Sequence, residues 1–174
     1  INSDAKIVID NNHCNEHSTF KWCNYEKALN LLKWDNNKDG LKKLNNLLLT
    51  EKFADKYNKK YPQGLLMNHV KLVRKFALKL AEIEGADKEV VGLSALLHDI
   101  GKYKDNKNHH EVSFELSKGF LSKLELPQIK KDLILKCILK HRFRFASENN
   151  EIEVEVIQSA DALGTLFDDK IQKQ

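Results

Sequence analysis

The chain has 174 residues, of which 41% are apolar and 31% are charged, and its formal net charge is +4. This length suits one domain with a buried core, or one domain plus part of another, and the apolar content argues against a disordered chain. No apolar run approaches the ~20 residues of a membrane helix, and three cysteines without framework spacing disfavour a disulfide scaffold. We therefore expect a cytoplasmic protein with no membrane partner.

The positive charge comes almost entirely from lysine, since the chain has 26 lysines and only 3 arginines. The lysines alternate with acidic residues along predicted helical faces, which is typical of a solvated surface. Arginine is the residue favoured for bidentate phosphate contacts, and it is scarce here. The composition therefore gives little support to a nucleic-acid partner.

The first third of the chain mixes predicted elements. Residues 6–10 are β-branched and predict a short strand, and residues 25–34 predict a helix. Residues 36–40 are polar and end in glycine, so we expect a break before a second helical stretch over 41–49. Residues 51–64 are rich in lysine and tyrosine and close with Pro62 and Gly64, which favours a linker.

From residue 65 onward the pattern is helical throughout. Asn68 is the expected N-cap of a helix that ends before Gly85. Asp87 is the expected N-cap of the next helix, which is nearly apolar and reaches Leu97. Such a helix belongs at the centre of a bundle. Further helices are predicted at 110–124, 127–141 and 151–167, separated by loops at 100–108 and 142–150. The predicted fold is all-α, a helical bundle with a short α+β N-terminal appendage.

Histidines and aspartates lie at the ends of these helices, where bundles commonly build metal sites. The sequence His98-Asp99-Ile100-Gly101-Lys102 follows the apolar helix. Asp161 falls within an apolar run, where a carboxylate is costly unless it is paired or bound to a metal. Imidazole and carboxylate ligands without thiolates suit a divalent transition metal such as Fe, Mn, Co, Ni or Zn.

The ordered set His69, His98-Asp99 and Asp161 resembles the HD-domain superfamily of metal-dependent phosphohydrolases, over residues 65–174. The resemblance implies that these four residues hold a first metal ion. Members with two ions add a histidine after the HDxGK motif and one at the end of the next helix. His109 and His141 match those positions, with His110 as the rival to His109, and Asp99 would then bridge two ions.

The resemblance also implies a catalytic role. Two ions a few Å apart lower the pKa of a shared water, and nearby cations neutralise phosphate charge. We expect Asp99 and Lys102 to be catalytic, and Lys102, Arg142 and Arg144 to contact the substrate. The expected activity is hydrolysis of a phosphate ester or anhydride in a small nucleotide. The alternative is a metal-binding nucleotide sensor or assembly module without catalysis.

Residues 1–50 resemble the C-terminal end of a Nudix hydrolase domain, through Glu16-His17, then Phe20-Lys21-Trp22, and a following helix. The glutamate-rich Nudix signature is absent from the chain, so the resemblance implies no Nudix activity here. Because residue 1 is Ile rather than Met, we expect the C-terminal part of a Nudix–HD fusion. The expected partners are a small nucleotide, for example a dinucleoside polyphosphate, and either a missing N-terminal Nudix half or a second copy of the chain.

Overall fold

The computed structural model describes residues 19–62, 65–142 and 151–168, and these contain seven helices and no strand. An all-helical architecture agrees with the fold class predicted for the second part of the chain. The strand predicted at residues 6–10 lies outside the described residues. Residues 19–24, which include the Phe20-Lys21-Trp22 stretch, have no regular secondary structure. The α+β character of the N-terminal appendage therefore stays a prediction.

The chain divides into two compact units, residues Ile1–Lys42 and residues Lys43–Gln174. The first helix, α1, spans Tyr25–Leu31 and begins at an Asn24 cap, whose side chain accepts a hydrogen bond of 3.0 Å from the Lys27 backbone N–H. Its predicted end at residue 34 is therefore too late by three residues. None of its residues is buried.

The second helix, α2, spans Asp35–Asn58, and the predicted helix break in this region is wrong. The expected break at residues 36–40 is the beginning of α2, because Asp35 and the asparagines after it suit a first helical turn. The expected linker over 51–64 is helical as far as Asn58. Its buried residues Asn46, Thr50, Ala54 and Asn58 recur at every fourth position. They are small or polar, so the pattern of large apolar residues did not indicate this buried face.

Helix α3 spans Leu65–Glu84 and ends where Gly85 takes a φ of 75°, as the glycine predicted. With Asn68 as its expected N-cap, the start of this helix was predicted four residues too late. Asn68 lies inside the helix and does not cap it; its amide donates a hydrogen bond of 3.0 Å to Asp168.

Helix α4 spans Lys88–Leu97 and forms the centre of the bundle. Asp87 caps it as predicted, since its carboxylate accepts hydrogen bonds from the backbone N–H groups of Glu89 and Val90 at 2.9 and 3.2 Å. All eight residues from 90 to 97 are buried. Helices α3, α6 and α7 pack around this helix, which explains why it has no polar face.

The remaining helices are α5 at His109–Leu121, α6 at Gln128–Lys140 and α7 at Ile152–Leu166. Their existence was predicted, with ends that differ by one to three residues. The end of α4, the start of α5 and the end of α6 meet at one end of the bundle, where α3 and α7 pass alongside. None of the described helices is long and apolar enough to cross a membrane.

Candidate metal centre

Six histidine and aspartate residues from five helices converge at this end of the bundle, and each residue is at most 9% exposed. Each is placed by a helix or a helix end. They are His69 of α3, His98 and Asp99 at the end of α4, His109 at the start of α5, His141 at the end of α6 and Asp161 of α7.

The first ligand group consists of His69, His98 and Asp161, whose ligand atoms lie within 4.8 Å of one another. His69 Nε2 is 3.1 Å from Asp161 Oδ1, and His98 Nε2 is 3.7 Å from the same oxygen. One carboxylate oxygen therefore faces two imidazole nitrogens, an arrangement that could hold a divalent cation.

The second ligand group consists of Asp99, His109 and His141, again with ligand atoms within 4.8 Å of one another. Asp99 Oδ1 is 3.1 Å from His109 Nε2 and 3.7 Å from His141 Nε2. The two imidazole nitrogens are only 3.1 Å apart. Two unprotonated nitrogens at that distance repel each other, so a shared proton or a cation is needed between them.

Asp99 lies between the two groups. Its Oδ1 faces the second ligand group, while its Oδ2 is 3.4 Å from His69 Nε2 and 3.3 Å from His98 Nε2. It is thus the residue among the six whose two oxygens face different groups. This is the geometry required of a carboxylate that bridges two ions.

Three of the histidines are oriented by the same backbone contact. The Nδ1 atoms of His98, His109 and His141 lie 2.7–2.8 Å from carbonyl oxygens three residues earlier in the chain. Only a protonated Nδ1 can donate to a carbonyl, so each Nε2 is directed towards the centre as the nitrogen available to a metal.

The aspartates dominate the electrostatics of the centre. Burial acts to lower the pKa of His98, but the carboxylates of Asp99 and Asp161 outweigh it and raise that pKa to about 10. Burial acts to raise the pKa of Asp99, yet His98 and then Lys102 hold it well below its usual range. Burial, followed by the charge on His98, lowers the pKa of His141 to about 3. Burial likewise acts to raise the pKa of Asp161, but hydrogen bonds to His69 and His98 lower it overall. Both aspartates are therefore ionised at neutral pH.

The side chains fit a metal centre, because some buried polar atoms lack protein partners. His98 Nε2 and Asp99 Oδ1 make no hydrogen bond within the described part of the chain. An unsatisfied buried polar atom costs roughly 1–3 kcal/mol. Imidazole nitrogens and carboxylate oxygens around one point are donors that a divalent transition metal prefers.

Two glycines let the helices approach closely enough to form the centre. A Cβ on Gly164 of α7 would lie 2.5 Å from Val73 Cγ2 and 3.4 Å from His69 Cε1. A Cβ on Gly101 would lie 2.5 Å from the His109 carbonyl oxygen and 2.8 Å from the Ser113 nitrogen. Gly164 therefore permits the close approach of Val73, one helical turn after His69, and Gly101 permits the position of His109.

The three residues of the second ligand group line a cleft of about 340 Å³. Asp161 of the first ligand group lines the same cleft. Lys102 Nζ forms an ion pair of 2.5 Å with Asp99 Oδ2, and the Lys102 side chain is 20% exposed. Arg142 lines the same cleft and donates a hydrogen bond to the Lys107 carbonyl. Lys102 and Arg142 thus lie at the mouth of the centre.

Thr165 also lines the cleft and was not identified from the sequence. Its hydroxyl donates to the Asp161 carbonyl at 3.0 Å, one helical turn before it. Its spacing of four residues from Asp161 was the available signal. Arg144, the third predicted substrate contact, lies outside the described residues.

Of the two rival histidines, His109 belongs to the second ligand group and His110 does not. Their ring centroids are 6.1 Å apart. Burial, and then the charge of Arg142, lower the pKa of His110. His110 is thus a buried neighbour of the centre.

Comparison with known proteins gives a family model, described as HD domain, that matches residues 66–166. A solved structure described as a predicted HD superfamily hydrolase, from an uncultured Thermotogales bacterium, has a TM-score of 0.57 at 22% identity. The similarity covers 67% of this chain and 66% of that one, and at this identity it shows the fold alone.

Two curated relatives match over shorter stretches. An uncharacterized protein of Clostridium beijerinckii is 32% identical over 92 residues, which is 51% of this chain and 56% of that protein. A tRNA (cytidine(56)-2'-O)-methyltransferase of Picrophilus torridus is 39% identical over 49 residues, 28% of this chain and 14% of that enzyme. The chain therefore spans only part of the length of either relative. These matches do not support the Nudix resemblance of residues 1–50.

Proposed function

Because the chain belongs to the HD domain family, we propose that it is a metal-dependent phosphohydrolase that acts on a phosphate ester or anhydride of a small nucleotide. One observation carries the proposal. Six buried ligand side chains form two groups that share Asp99, and they open into a cleft that also contains Lys102 and Arg142.

We assign one divalent ion to each ligand group. His69, His98 and Asp161 would hold the first ion together with Asp99 Oδ2, and His109 and His141 would hold the second together with Asp99 Oδ1. When bound, the ions would supply Lewis-acid charge to phosphoryl oxygens and lower the pKa of a bound water. The distances of Asp99 to both groups support this assignment.

Lys102 is the proposed contact to the transferred phosphoryl group. Its ammonium is 2.5 Å from Asp99 Oδ2, and its side chain borders the cleft. With Asp99 directed to metal, this ammonium is available to neutralise charge on a phosphoryl oxygen, which is the main requirement of phosphoryl transfer.

In this proposal, Arg142 binds a part of the substrate that lies farther from the two ions than the transferred phosphoryl group. Its hydrogen bond to the Lys107 carbonyl joins the end of α6 to the loop that precedes α5. The guanidinium is thereby held at the cleft, where it can bind a second phosphate or a ribose oxygen. The cleft volume of about 340 Å³ suits a substrate the size of a mononucleotide. A dinucleoside polyphosphate substrate and a Nudix neighbour rest only on the resemblance of residues 1–50.

Phosphate release from a nucleotide panel with Mn²⁺, Co²⁺ or Fe²⁺ tests the proposal. Lys102→Gln should lower kcat/KM by roughly 10–100-fold with unchanged metal content, since one charge contact to the transition state is lost. Lys104→Gln is the matched control, because Lys104 is exposed and does not line this cleft. Nucleotide-induced thermal stabilisation without any phosphate release would instead identify a sensor and contradict the proposal.

A further inference from the structure

The end of α6 carries two residues of the candidate site. His141 and Arg142 follow directly on Lys140, the last residue of this helix, and both line the cleft. The last carbonyl groups of an α-helix have no partner within the helix, and helix ends fray unless another group binds them. The Lys140 carbonyl accepts a hydrogen bond of 2.9 Å from the side-chain amide of Gln158. Because Gln158 belongs to α7, a contact between two helices holds the end of α6.

The position of Gln158 on α7 places it beside a ligand of the first group. It precedes Asp161 by three residues, and side chains at that spacing are neighbours on a helix surface. The carbonyl that Gln158 binds belongs to the peptide group before His141, a ligand of the second group. Helix α7 therefore contributes to both groups, to the first through Asp161 and to the second through Gln158. Gln158 itself is a member of neither group and does not line the cleft.

The second ligand group depends closely on where the end of α6 lies. His141 Nδ1 is 2.7 Å from the Ile138 carbonyl oxygen, which fixes the ring relative to its own helix. His141 Nε2 is 3.1 Å from His109 Nε2 and 3.7 Å from Asp99 Oδ1. Zinc, for example, binds imidazole nitrogen at about 2.0–2.1 Å. A small shift of the helix end therefore decides whether His141 can share an ion with His109 and Asp99.

We propose that Gln158 is a positioning residue that fixes the end of α6 for both metal binding and substrate binding. Its amide holds the peptide group before His141, so that His141 faces the second ion and the guanidinium of Arg142 faces the cleft. The part of this inference that concerns Arg142 rests on the proposed hydrolase function, whereas the part that concerns His141 requires only that the second group holds an ion. The first ligand group should not depend on this amide, because none of its residues belongs to α6.

Gln158→Met removes the amide donor and keeps a side chain of similar length. Titration of the full chain with Mn²⁺ is followed by electron paramagnetic resonance. Binding of the second ion should weaken about tenfold or more and that of the first less than about twofold, since a group that orients one metal ligand acts on the ion of that ligand. The spin-coupled spectrum of two adjacent Mn²⁺ ions should therefore appear only at a higher Mn²⁺ concentration than in the unmodified chain.

Gln128→Met is the matched control, because Gln128 is an exposed glutamine at the other end of α6. Its side-chain amide contacts Asp132 of the same helix. This variant should leave the affinities for both ions unchanged.

Steady-state kinetics tests the contribution through Arg142. At Mn²⁺ concentrations that saturate both ions, Gln158→Met should raise the KM for a nucleotide substrate about threefold or more with a smaller change in kcat, because substrate binding is weakened while the metal charge is retained. If the unmodified chain releases no phosphate, the proposed hydrolase function fails, and the Mn²⁺ titration still tests Gln158.

A second variant keeps the test independent of the folding of the first. Gln158→Asn retains an amide that is one methylene too short to reach the Lys140 carbonyl, and it should show the same selective loss of the second ion. A role of Gln158 in stability alone would lower the urea midpoint and leave the ratio of the two Mn²⁺ affinities unchanged. That result, or a second-ion affinity equal to that of the unmodified chain, would overturn the proposal.

Discussion

The two ligand groups are built differently, although they share Asp99. The first ligand group has a carboxylate of its own, Asp161, and its residues His69 and Asp161 lie within the packed helices α3 and α7. The second has two imidazoles from helix ends, His109 and His141, and no carboxylate other than Asp99. Counted with Asp99 Oδ2, the first group offers four ligands and two carboxylates, whereas the second offers three ligands and one carboxylate. We therefore expect the first group to bind its ion more tightly. The two ions should accordingly be lost in two separate steps, the ion of the second group first.

The largest effect is expected from Asp99→Ala, which removes the residue common to both groups. Metal content should fall for both ions, and phosphate release should fall by about 10³-fold or more. Elemental analysis together with a phosphate-release assay measures this change. Asp132→Asn, an exposed aspartate of α6, is the matched control and should retain metal and rate. Full turnover by Asp99→Ala would contradict the account.

Substitution of one histidine in each ligand group distinguishes the two groups by the number and affinity of the ions that remain bound. His141→Ala should leave close to one ion per chain, because the first ligand group stays intact. His69→Ala should lower the affinity for the tighter ion, since its imidazole faces both Asp161 and Asp99. Titration with Mn²⁺ followed by electron paramagnetic resonance distinguishes these outcomes. Equal losses in both variants would show that the groups do not differ.

Substitution of Gly164 or Gly101 tests the same difference between the two ligand groups, because each glycine allows close packing beside one of them. Gly164→Ala should weaken binding of the tighter ion, because the added Cβ would clash with Val73, one helical turn after His69. Gly101→Ala should weaken the other ion, because its Cβ meets the backbone of His109 and Ser113. Each should also destabilise the fold by about 1–3 kcal/mol through overpacking. Gly119→Ala, where a Cβ has open space, is the control for both metal titration and urea unfolding.

The smallest effect is expected from Asp87→Ala, which lies outside both groups. Loss of the α4 cap should lower the free energy of unfolding by about 1 kcal/mol and leave metal content unchanged. Burial acts to raise the pKa of Asp87, but Lys130 and the capped backbone N–H groups lower it overall. Its contribution is therefore complete above the ordinary pKa of an aspartate and is lost as pH falls through the lowered value.

Urea unfolding with chelator present, compared between the unmodified chain and Asp87→Ala from about pH 6 to pH 2, measures this contribution. The difference between the two proteins should shrink as the pH falls. A difference that grows towards low pH would contradict the sign of the shift.

Much of the helical bundle could be predicted from sequence, because its helices carry strong local signals. Asp87 and Gly85 marked helix ends, and the apolar run of α4 marked the centre. Helix α2 was mispredicted because Thr50 and Asn58 are buried polar residues, which periodicity of apolar residues does not reveal. Asn68 was mistaken for a cap because its actual partner, Asp168, is 100 residues away in the chain.

The candidate centre was predictable as a set of residues, but its internal arrangement was not. The sequence indicated which histidines and aspartates belong together, and the structure brings these six side chains within contact distance. The division into two groups depends on which oxygen of Asp99 faces which imidazole, a three-dimensional property. The role of Gly164 depends on a contact between helices, and so no local pattern indicated it.

The most direct test is anomalous X-ray scattering from crystals of the full chain grown with Mn²⁺. The account predicts two anomalous peaks on either side of the Asp99 carboxylate, one contacted by His69, His98 and Asp161 and the other by His109 and His141. A single peak, or peaks remote from Asp99, would contradict the central claim that this carboxylate joins two metal sites.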